Sequence, residues 1–533
     1  MSGAAAALPA PGAAPLPRSI EALTAQWGPR WRLLVTFTAM LGTVSTILAS
    51  TIVNVALPDI MGAFGIGQDR AQLVSTGFLA ATTTTMLLNA WAIEAFGFRA
   101  TYIAAMAVFV LGSALGGLAP TENLLVLARI LQGASAGLLQ PLGMQLVFRV
   151  FPPERRGSAM GLFAVGVVMA PALGPTLGGL VTDSLGWRAL FVTALPLPII
   201  GMLLGWVFLP SRDKPAGTPR PRFDWPGCLL LAIATAMLLT ALASGQRHGW
   251  SSDEVVLEFA VVALAGAGFV LWELTAKAPM LDPRIYANRG FACASAVAAV
   301  YGAALFGTTY LAPLFVQLVQ GYTATRAGMM LMPAGLMMVI CFPLAGRLAD
   351  RVAPTWPMVI GLTIFAWSCW LMASVDTDLP FWTLALWVLV GRVGLSLAMP
   401  SMNTGALRAL PPRYLGQGAG AINFARQFGG ALGVNGLSIV LEQHTQLHAA
   451  ALMATQDGSN PVTLELRRMV EAMMAQEGVP ETLRLAGFED YLSRVVLAQA
   501  QMLGFRDAFV VAALVCLVAV IPALLTRNAR PRN

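Results

Sequence analysis

Charge is what this 533-residue sequence has least of. Asp, Glu, Lys and Arg together make up 11% of it, and 57% is hydrophobic. Soluble globular proteins carry about 25% charged residues, so this chain cannot cover the surface of a water-soluble body of its size, nor is it polar enough to stay disordered. Histidine is scarcer still, with three residues. The five cysteines are odd in number, lie in or beside apolar stretches and show no CxxC spacing, so they read as small packing residues and not as a disulfide or metal framework. A membrane-embedded enzyme would need intramembrane carboxylates, metal-spaced His or a Ser with a base, and the sequence offers none of these constellations. No cofactor or metal is expected. What remains is a polytopic membrane protein.

Long apolar runs are what the sequence does have. Punctuated at charges, Pro and Gly, they predict fourteen membrane helices at about 20 residues per crossing. These spans fall at 32–57, 71–95, 100–119, 121–148, 157–182, 188–209, 226–246, 254–275, 290–318, 327–347, 357–375, 380–407, 416–442 and 505–526. Residues 1–17 are Ala/Pro-rich and carry no positive charge, unlike a signal peptide. Residues 1–31 are therefore expected to be a cytoplasmic tail, with a short interfacial helix over 19–28. The basic residues test the count. With the N-terminus inside, 21 of the 33 Lys and Arg fall in inner segments and nine in outer ones, five of those nine around one long loop. Cytoplasmic loops collect Lys and Arg, so both termini are placed in the cytoplasm. The net charge of +7 then reflects topology and not a nucleic-acid partner.

The spans repeat. Pro141, Pro152-Pro153, Gly157 and Gly161 recur as Pro400, Pro411-Pro412, Gly416 and Gly420, at an offset of 259. AWAIEAFGFR (90–99) matches GRLADRVAPT (346–355) at an offset of 256. Corresponding loops lie on the same side, so the repeats are parallel, with six helices each and spans 7 and 8 inserted between them. The fold class is thus an all-α polytopic membrane protein: two six-helix bundles (32–209 and 290–526) related by a pseudo-two-fold axis along the membrane normal. A linker, 210–289, carries the inserted pair, and 527–533 forms a second tail. Such an arrangement describes a secondary transporter whose halves rock about a central site.

At these residues the chain resembles the major facilitator superfamily, specifically its fourteen-helix drug:proton antiporter branch of the EmrB/QacA type. STIVNVALP (50–58) resembles the branch's span 1 signature. The loop after span 2 resembles the superfamily's G-x-L-a-D-R-x-G-R-K, with Glu94 at the acidic position, then Gly97 and Arg99; Ala90 replaces its first Gly and Ala95 its Arg. The second copy keeps Gly346, Arg347, Asp350 and Arg351. LARILQGASAG (127–137) resembles the span 4 motif around Arg129, and APALGPTLGG (170–179) the exporter motif of span 5, with Pro171, Gly174, Pro175, Gly178 and Gly179. GWR (186–188), NFARQFGGALG (423–433) and QAQMLGFRDAF (499–509) add to it. The resemblance implies efflux of lipophilic or amphipathic small molecules in exchange for protons, by alternating access, across the bacterial inner membrane.

Each motif has a physical reading. Small residues and prolines make span 5 thin and bendable at mid-membrane. Glu94 with Arg99, and Asp350 with Arg347 and Arg351, place acids where they can pair with arginines or a helix N-terminus while the inner side is shut. Arg129, Arg392 and Arg426 lie inside spans 4, 12 and 13, where a charge is costly and functional by default, or else is tied to backbone carbonyls. The family places an Asp in span 1 opposite the span 4 Arg; here that position is Ala49. No acid falls at a helix centre, so proton coupling would use a peripheral acid (Glu94, Glu258 or Asp350) or the substrate's own proton. Arginine without carboxylate favours anionic or neutral substrates, such as an endogenous weak acid or fatty acid. Asn54, Gln132, Gln140, Tyr310, Gln317, Asn403, Asn423 and Gln427 are the polar candidates for the cavity wall, and Thr82–Thr85 supply hydroxyls that can also bond their own helix.

The outer segment 443–504 has helical patterning and is a candidate docking surface for a periplasmic membrane-fusion adaptor. Its His444 and His448, at i and i+4, have no Cys, Asp or third His nearby in sequence and are not expected to hold a metal.

Overall fold

A backbone in lipid must satisfy its own N–H and C=O groups, and a helix does so within one segment. In the computed structural model, which describes residues 18–211, 221–456 and 460–526, the described residues form helices and connecting turns with no strand. The predicted tail residues 1–17 and 527–533 and the linker stretch 212–220 lie outside the described residues, as do the side chains of Asn54, Pro171 and Pro175.

The chain opens with α1 (Ile20–Trp27), the predicted interfacial helix, capped by the Ser19 hydroxyl, which accepts from the Ala22 N–H. The first bundle then comprises α2 (Trp31–Val55), a short α3 (Leu57–Phe64), α4 (Gln68–Gly117), α5 (Glu122–Val150), α6 (Arg156–Leu185), and α7 (Ala189–Thr193) leading into α8 (Pro196–Phe208). The inserted pair is α9 (Trp225–His248) and α10 (Asp253–Thr275). The second bundle comprises α11 (Arg289–Leu318), α12 (Ala324–Arg351), α13 (Thr355–Met372), α14 (Phe381–Arg408), α15 (Leu415–Ala454) and α17 (Glu481–Leu525), with α16 (Pro461–Gln476) outside the bundle. Among the described residues, eleven segments are long and apolar enough to cross a membrane. One of these, Leu73–Gly117, is two spans joined across Gly97, and α6 and α15 complete fourteen.

Gly97 makes that break with φ 83° and ψ 167°, a conformation open to glycine and strained for other residues. Spans 13 and 14 are longer than predicted. The polar run from Glu442 read as a helix end, yet α15 continues to Ala454 and α17 begins at Glu481. A helix leaving the bilayer need not stop, because its backbone bonds remain internal while only its side chains change solvent. Both flanks of the predicted outer segment are therefore extensions of membrane helices. They enclose a small core of their own, with Val470, Phe488, Leu492 and Val496.

Burial separates centre from periphery. Protein covers 61% of the apolar window of α5 but only 17% of that of α10, so the inserted pair presents most of its surface outward. It joins the first bundle at Thr235, whose hydroxyl meets that of Thr84 at 3.1 Å. Within each bundle small residues bring helices close. A Cβ on Gly174 would meet the Thr51 hydroxyl of α2 at 2.0 Å, and one on Gly429 would meet the Ala299 carbonyl of α11 at the same distance. Arg18 and Thr526 lie on one face of the assembly: Ser211 donates to the Arg18 carbonyl, and the Thr355 and Thr526 hydroxyls bond at 2.8 Å. This is the terminal face; α16 lies at the opposite one.

Candidate functional site

The two bundles meet most closely at the terminal face, and one carboxylate organises the contact. Asp350, near the end of α12, reaches the exposed N–H groups that begin α6. Its Oδ1 accepts from the Gly157 N–H at 2.5 Å, and its Oδ2 from the Ser158 N–H at 2.8 Å and the Ser158 hydroxyl at 2.6 Å. A helix N-terminus carries unpaired donors and a partial positive charge, so an anion fits there. Arg408 adds a guanidinium 3.8 Å from Asp350 while donating to the Pro153 carbonyl at 3.0 Å. Glycine permits the approach: a Cβ on Gly346 would sit 2.5 Å from the Gly157 carbonyl, and one on Gly161 2.3 Å from the Phe342 carbonyl. Arg347 and Arg351 are exposed beside this contact.

The repeat carries the same contact to the other side of the seam. At the offsets of 259 and 256, Gly157 and Gly161 become Gly416 and Gly420, while Gly346 and Phe342 become Ala90 and Met86. These residues do meet: a Cβ on Gly416 would lie 3.1 Å from Ala90, and one on Gly420 2.5 Å from the Met86 carbonyl. Here the contact is looser. Glu94, the counterpart of Asp350, is exposed, and Asn89 reaches the Gly416 carbonyl at 3.5 Å. A cavity of about 500 Å³ opens beside it, lined by Ala90, Trp91, Glu94, Gly97, Gln145, Arg149, Asp224, Arg413 and Gly416 among others. Arg99 lies over the Trp206 ring at 4.0 Å, and its N–H donates to the Pro210 carbonyl, which fixes the loop after the Gly97 break.

The intramembrane arginines are buried, and two of them, Arg129 and Arg392, are tied to backbone. Arg129 donates from Nη1 to the Ala49 carbonyl (3.3 Å) and to Gln132 Oε1 (2.9 Å), and from Nε to the Val74 carbonyl (3.4 Å), with its guanidinium 4.3 Å from the centre of the Phe78 ring. Gln132 passes the chain on to the Ser113 hydroxyl at 2.8 Å. Ala49, where the family carries a carboxylate, thus serves Arg129 through its main-chain oxygen. The second half has a comparable device, in which the acceptor Leu305 lies 256 residues after Ala49 but Arg392 lies 263 after Arg129: Arg392 donates to the Leu305 carbonyl at 3.2 Å and to the Thr309 hydroxyl at 2.6 Å. Arg426 donates to Asn423 Oδ1 at 2.6 Å, and Asn423 in turn donates to the Met144 sulfur across the seam at 3.3 Å. Tyr301, absent from the predicted set, is fully buried, with its hydroxyl 3.6 Å from the Met399 sulfur.

Several polar candidates occupy other places than a cavity wall. Gln132 is a strut within the Arg129 network, and Gln317 donates to the Pro313 carbonyl of its own helix at 3.1 Å. Each of Thr82–Thr85 bonds the carbonyl four residues back, and Thr85 also donates to the Ala134 carbonyl of α5 at 3.0 Å. Gln140 and Asn403 are buried, the latter with Oδ1 unpartnered; Gln427 is half-buried and Tyr310 is exposed. Apart from Asp350, the buried acids among the described residues are Asp224, Glu258 and Glu273, all in the inserted pair or its cap. Asp224 accepts from the Gly227 N–H at 3.0 Å and from the Trp272 indole at 2.7 Å, and Glu273 accepts from the Leu281 N–H at 3.2 Å. Asp224 Oδ2 and Glu273 Oε1 are buried without partners, and both face the same point beside Gly227. Neither is among the acids expected from sequence (Glu94, Glu258 and Asp350), and no local pattern marks their convergence.

At the opposite face the expectation for His444 and His448 needs correction. Asp507, on α17, lies against both: its Oδ2 is 2.7 Å from His444 Nδ1 and 2.8 Å from His448 Nε2. Sequence separation hid it, because the two elongated helices bring together residues about sixty positions apart.

Two parallel six-helix bundles sealed to each other at one face, with glycines at the crossings on both sides of the seam, are the architecture of a polytopic membrane transporter. The profile of the Major Facilitator Superfamily matches residues 39–434, and the chain belongs to that superfamily. It is 30% identical over 417 residues to the methylenomycin A resistance protein of Streptomyces coelicolor, covering 77% of this chain and 86% of that protein. It is 28% identical over 483 residues to the multidrug export protein EmrB of Haemophilus influenzae, covering 90% and 92%. The human organic anion transporter MFSD10 (TETRAN) shares the fold, with a TM-score of 0.60 at 14% identity over 92% of this chain and 99% of that one. The resemblance to EmrB-type drug exporters implied by the motifs is met by these relatives.

Proposed function

We propose that the protein exports lipophilic or amphipathic small molecules across the bacterial inner membrane in exchange for protons, by alternating access. The seam at the terminal face carries this reading. Its contacts are hydrogen bonds and glycine crossings between two bodies, which form and break without unfolding either. The bias of Lys and Arg supports taking that face as cytoplasmic, with both termini inside. On this reading residues 32–209 and 290–526 are the moving bodies and 210–289 links them. Asp350 with Gly346, Arg347 and Arg351 holds the inner gate on one side, and Glu94, Gly97 and Arg99 work the other. Gly174, Gly178 and Gly179, with Pro171 and Pro175, let α6 slide and bend against α2. Asn54, Gln140, Tyr310, Asn403, Asn423 and Arg426 are the groups for substrate to meet as the bundles part, with Arg129 and Arg392 setting a positive interior.

That interior has three buried arginines, while among the described residues the buried carboxylate of the bundles is that of Asp350, at the terminal-face seam. It favours anionic and neutral amphiphiles over cations, and a weak acid or fatty acid made by the cell is the alternative cargo on the same ground. For protons, Asp224 and Glu273 fit better than Glu94, Glu258 or Asp350. Two carboxylates converging in a buried place hold a shared proton more easily than two charges, and Asp224 lines the terminal-face cavity. The outer extension, with Leu447, Met453, Val462 and Met473 exposed, offers an apolar surface to a periplasmic adaptor.

Purified protein in liposomes, given lipophilic acids, neutral amphiphiles and cations with and without a pH gradient, tests this reading. Acids and neutral compounds should move, and faster with the gradient. Transport of cations alone would overturn the substrate class, and indifference to the gradient would overturn antiport. Asp224→Asn with Glu273→Gln should remove the gradient dependence and spare downhill movement. Deleting 450–495 should stop export in cells while leaving membrane insertion intact; undiminished export would rule out adaptor docking.

A further inference from the structure

We propose that the outer end of the second bundle carries a divalent transition-metal site, formed by His444 Nδ1, His448 Nε2 and the carboxylate of Asp507, with Zn²⁺ the fitting ion. His444 and His448 are one turn apart on α15, so both imidazoles leave the same side of the helix. Asp507 faces them from α17. The three ligand atoms lie within 4.8 Å of one another, with the carboxylate oxygen 2.7 Å and 2.8 Å from the two ring nitrogens.

Zinc takes His nitrogen and Asp oxygen at about 2.0–2.2 Å in a tetrahedron, which sets ligand atoms roughly 3.3–3.6 Å apart. The side chains therefore need to move by about an ångström and no backbone has to shift. Two imidazoles and one carboxylate match the three-protein-ligand zinc sites that keep the fourth position for water. Entry is open, since the side chains of His444, His448 and Asp507 retain 44%, 27% and 36% of their exposure.

The frame around the site is rigid. A Cβ on Gly504 would meet the Thr445 hydroxyl at 2.5 Å, so α15 and α17 already touch one turn from the ligands. A metal there joins the two helices where they leave the membrane. Two hydrogen bonds to one carboxylate oxygen would achieve part of this, but they use one oxygen twice and leave the other without a role. An ion uses the same three groups and adds its own charge to hold them.

The test uses the full-length protein in detergent, purified without a polyhistidine tag and stripped with chelator. Titration calorimetry with Zn²⁺ should give one ion per chain and a raised melting temperature. His448→Ala and Asp507→Asn should each weaken binding by at least about 10–100-fold, the loss that removing even a supporting partner of a metal ligand causes. Asp507→His, which replaces one zinc ligand by another, should retain binding, and this holds the result apart from simple misfolding. Failure of the unmodified chain to bind saturably, or affinity in His448→Ala and Asp507→Asn equal to that of the unmodified chain, would overturn the site.

Discussion

The two sides of the terminal-face seam are copies of one contact, and they differ in how closely the facing helices meet. Where α12 meets α6, glycine faces glycine and Asp350 accepts three hydrogen bonds from the first turn of α6. Where α4 meets α15, Ala90 stands in for Gly346, Glu94 is exposed, and a cavity of about 500 Å³ opens alongside. A duplicated fold does not need two equal latches. The closer edge can act as the hinge-side lock while the other provides the play that lets the bodies rock.

The largest effect should come from the closer side. Asp350→Ala removes three charge-assisted bonds worth about 1.5–3 kcal/mol each, so the shut state should lose up to about 4.5–9 kcal/mol. That is enough to reverse a two-state population. Transport should collapse, and a cysteine introduced at the buried Ala349 should become open to alkylation. If Glu94→Ala does the same, the two edges are equivalent and the comparison breaks.

Glycine spacing gives the next effect. On Gly346→Ala the new methyl meets the Gly157 carbonyl at 2.5 Å, a backbone atom that cannot step aside. Overpacking of this kind costs about 1–3 kcal/mol, which should slow transport by about tenfold or more. Ala90→Gly on the loose side relieves nothing and should stay within about twofold of the parent rate, a change of a few tenths of a kcal/mol.

The arginine pair sharpens the comparison from inside the bundles. Arg129 makes three hydrogen bonds and lies on Phe78, whereas Arg392 makes two and no ring contact. Arg129→Ala should cost about 0.5–1.5 kcal/mol more stability than Arg392→Ala, the net value of one such bond, and so give the lower melting midpoint. Arg129→Ala is also expected to lose transport while still reaching the membrane. Equal melting shifts would mean that the repeat, and not the local partners, sets what each arginine does.

Much of this architecture could be read from residues. The spans follow from apolar runs, and the parallel repeat follows from Pro and Gly at fixed offsets. The acid of the second loop was expected at a helix N-terminus or among arginines, and Asp350 has both. What escaped was whatever depends on main-chain atoms or on two distant segments. The Ala49 carbonyl does for Arg129 part of what a carboxylate would do, and a carbonyl leaves no trace in residue identity. Asp224 and Glu273 escaped because each sits at or near a helix end, and their burial comes from neighbours on another segment. Asp507 was invisible beside His444 because it lies in predicted span 14, about sixty positions further on, and only the packing of α15 against α17 brings the two together.

The smallest effect belongs to Glu94, and it decides whether the loose edge is a latch at all. An exposed acid interacts through water and salt, where a pair is worth about 0–1 kcal/mol. Glu94→Gln keeps the shape and removes the charge, so transport should change by less than about fivefold at low salt. That change should shrink toward nothing as salt rises and the screening length falls below about 10 Å. Asp350→Asn is the matched control, since its carboxylate is buried against N–H donors and its loss should be nearly independent of salt. If Glu94→Gln also proves salt-independent and large, then Glu94 becomes buried at some stage of the cycle. The loose edge would then tighten in a second state, and the asymmetry would describe one stage of the cycle and not a fixed division of labour between the halves.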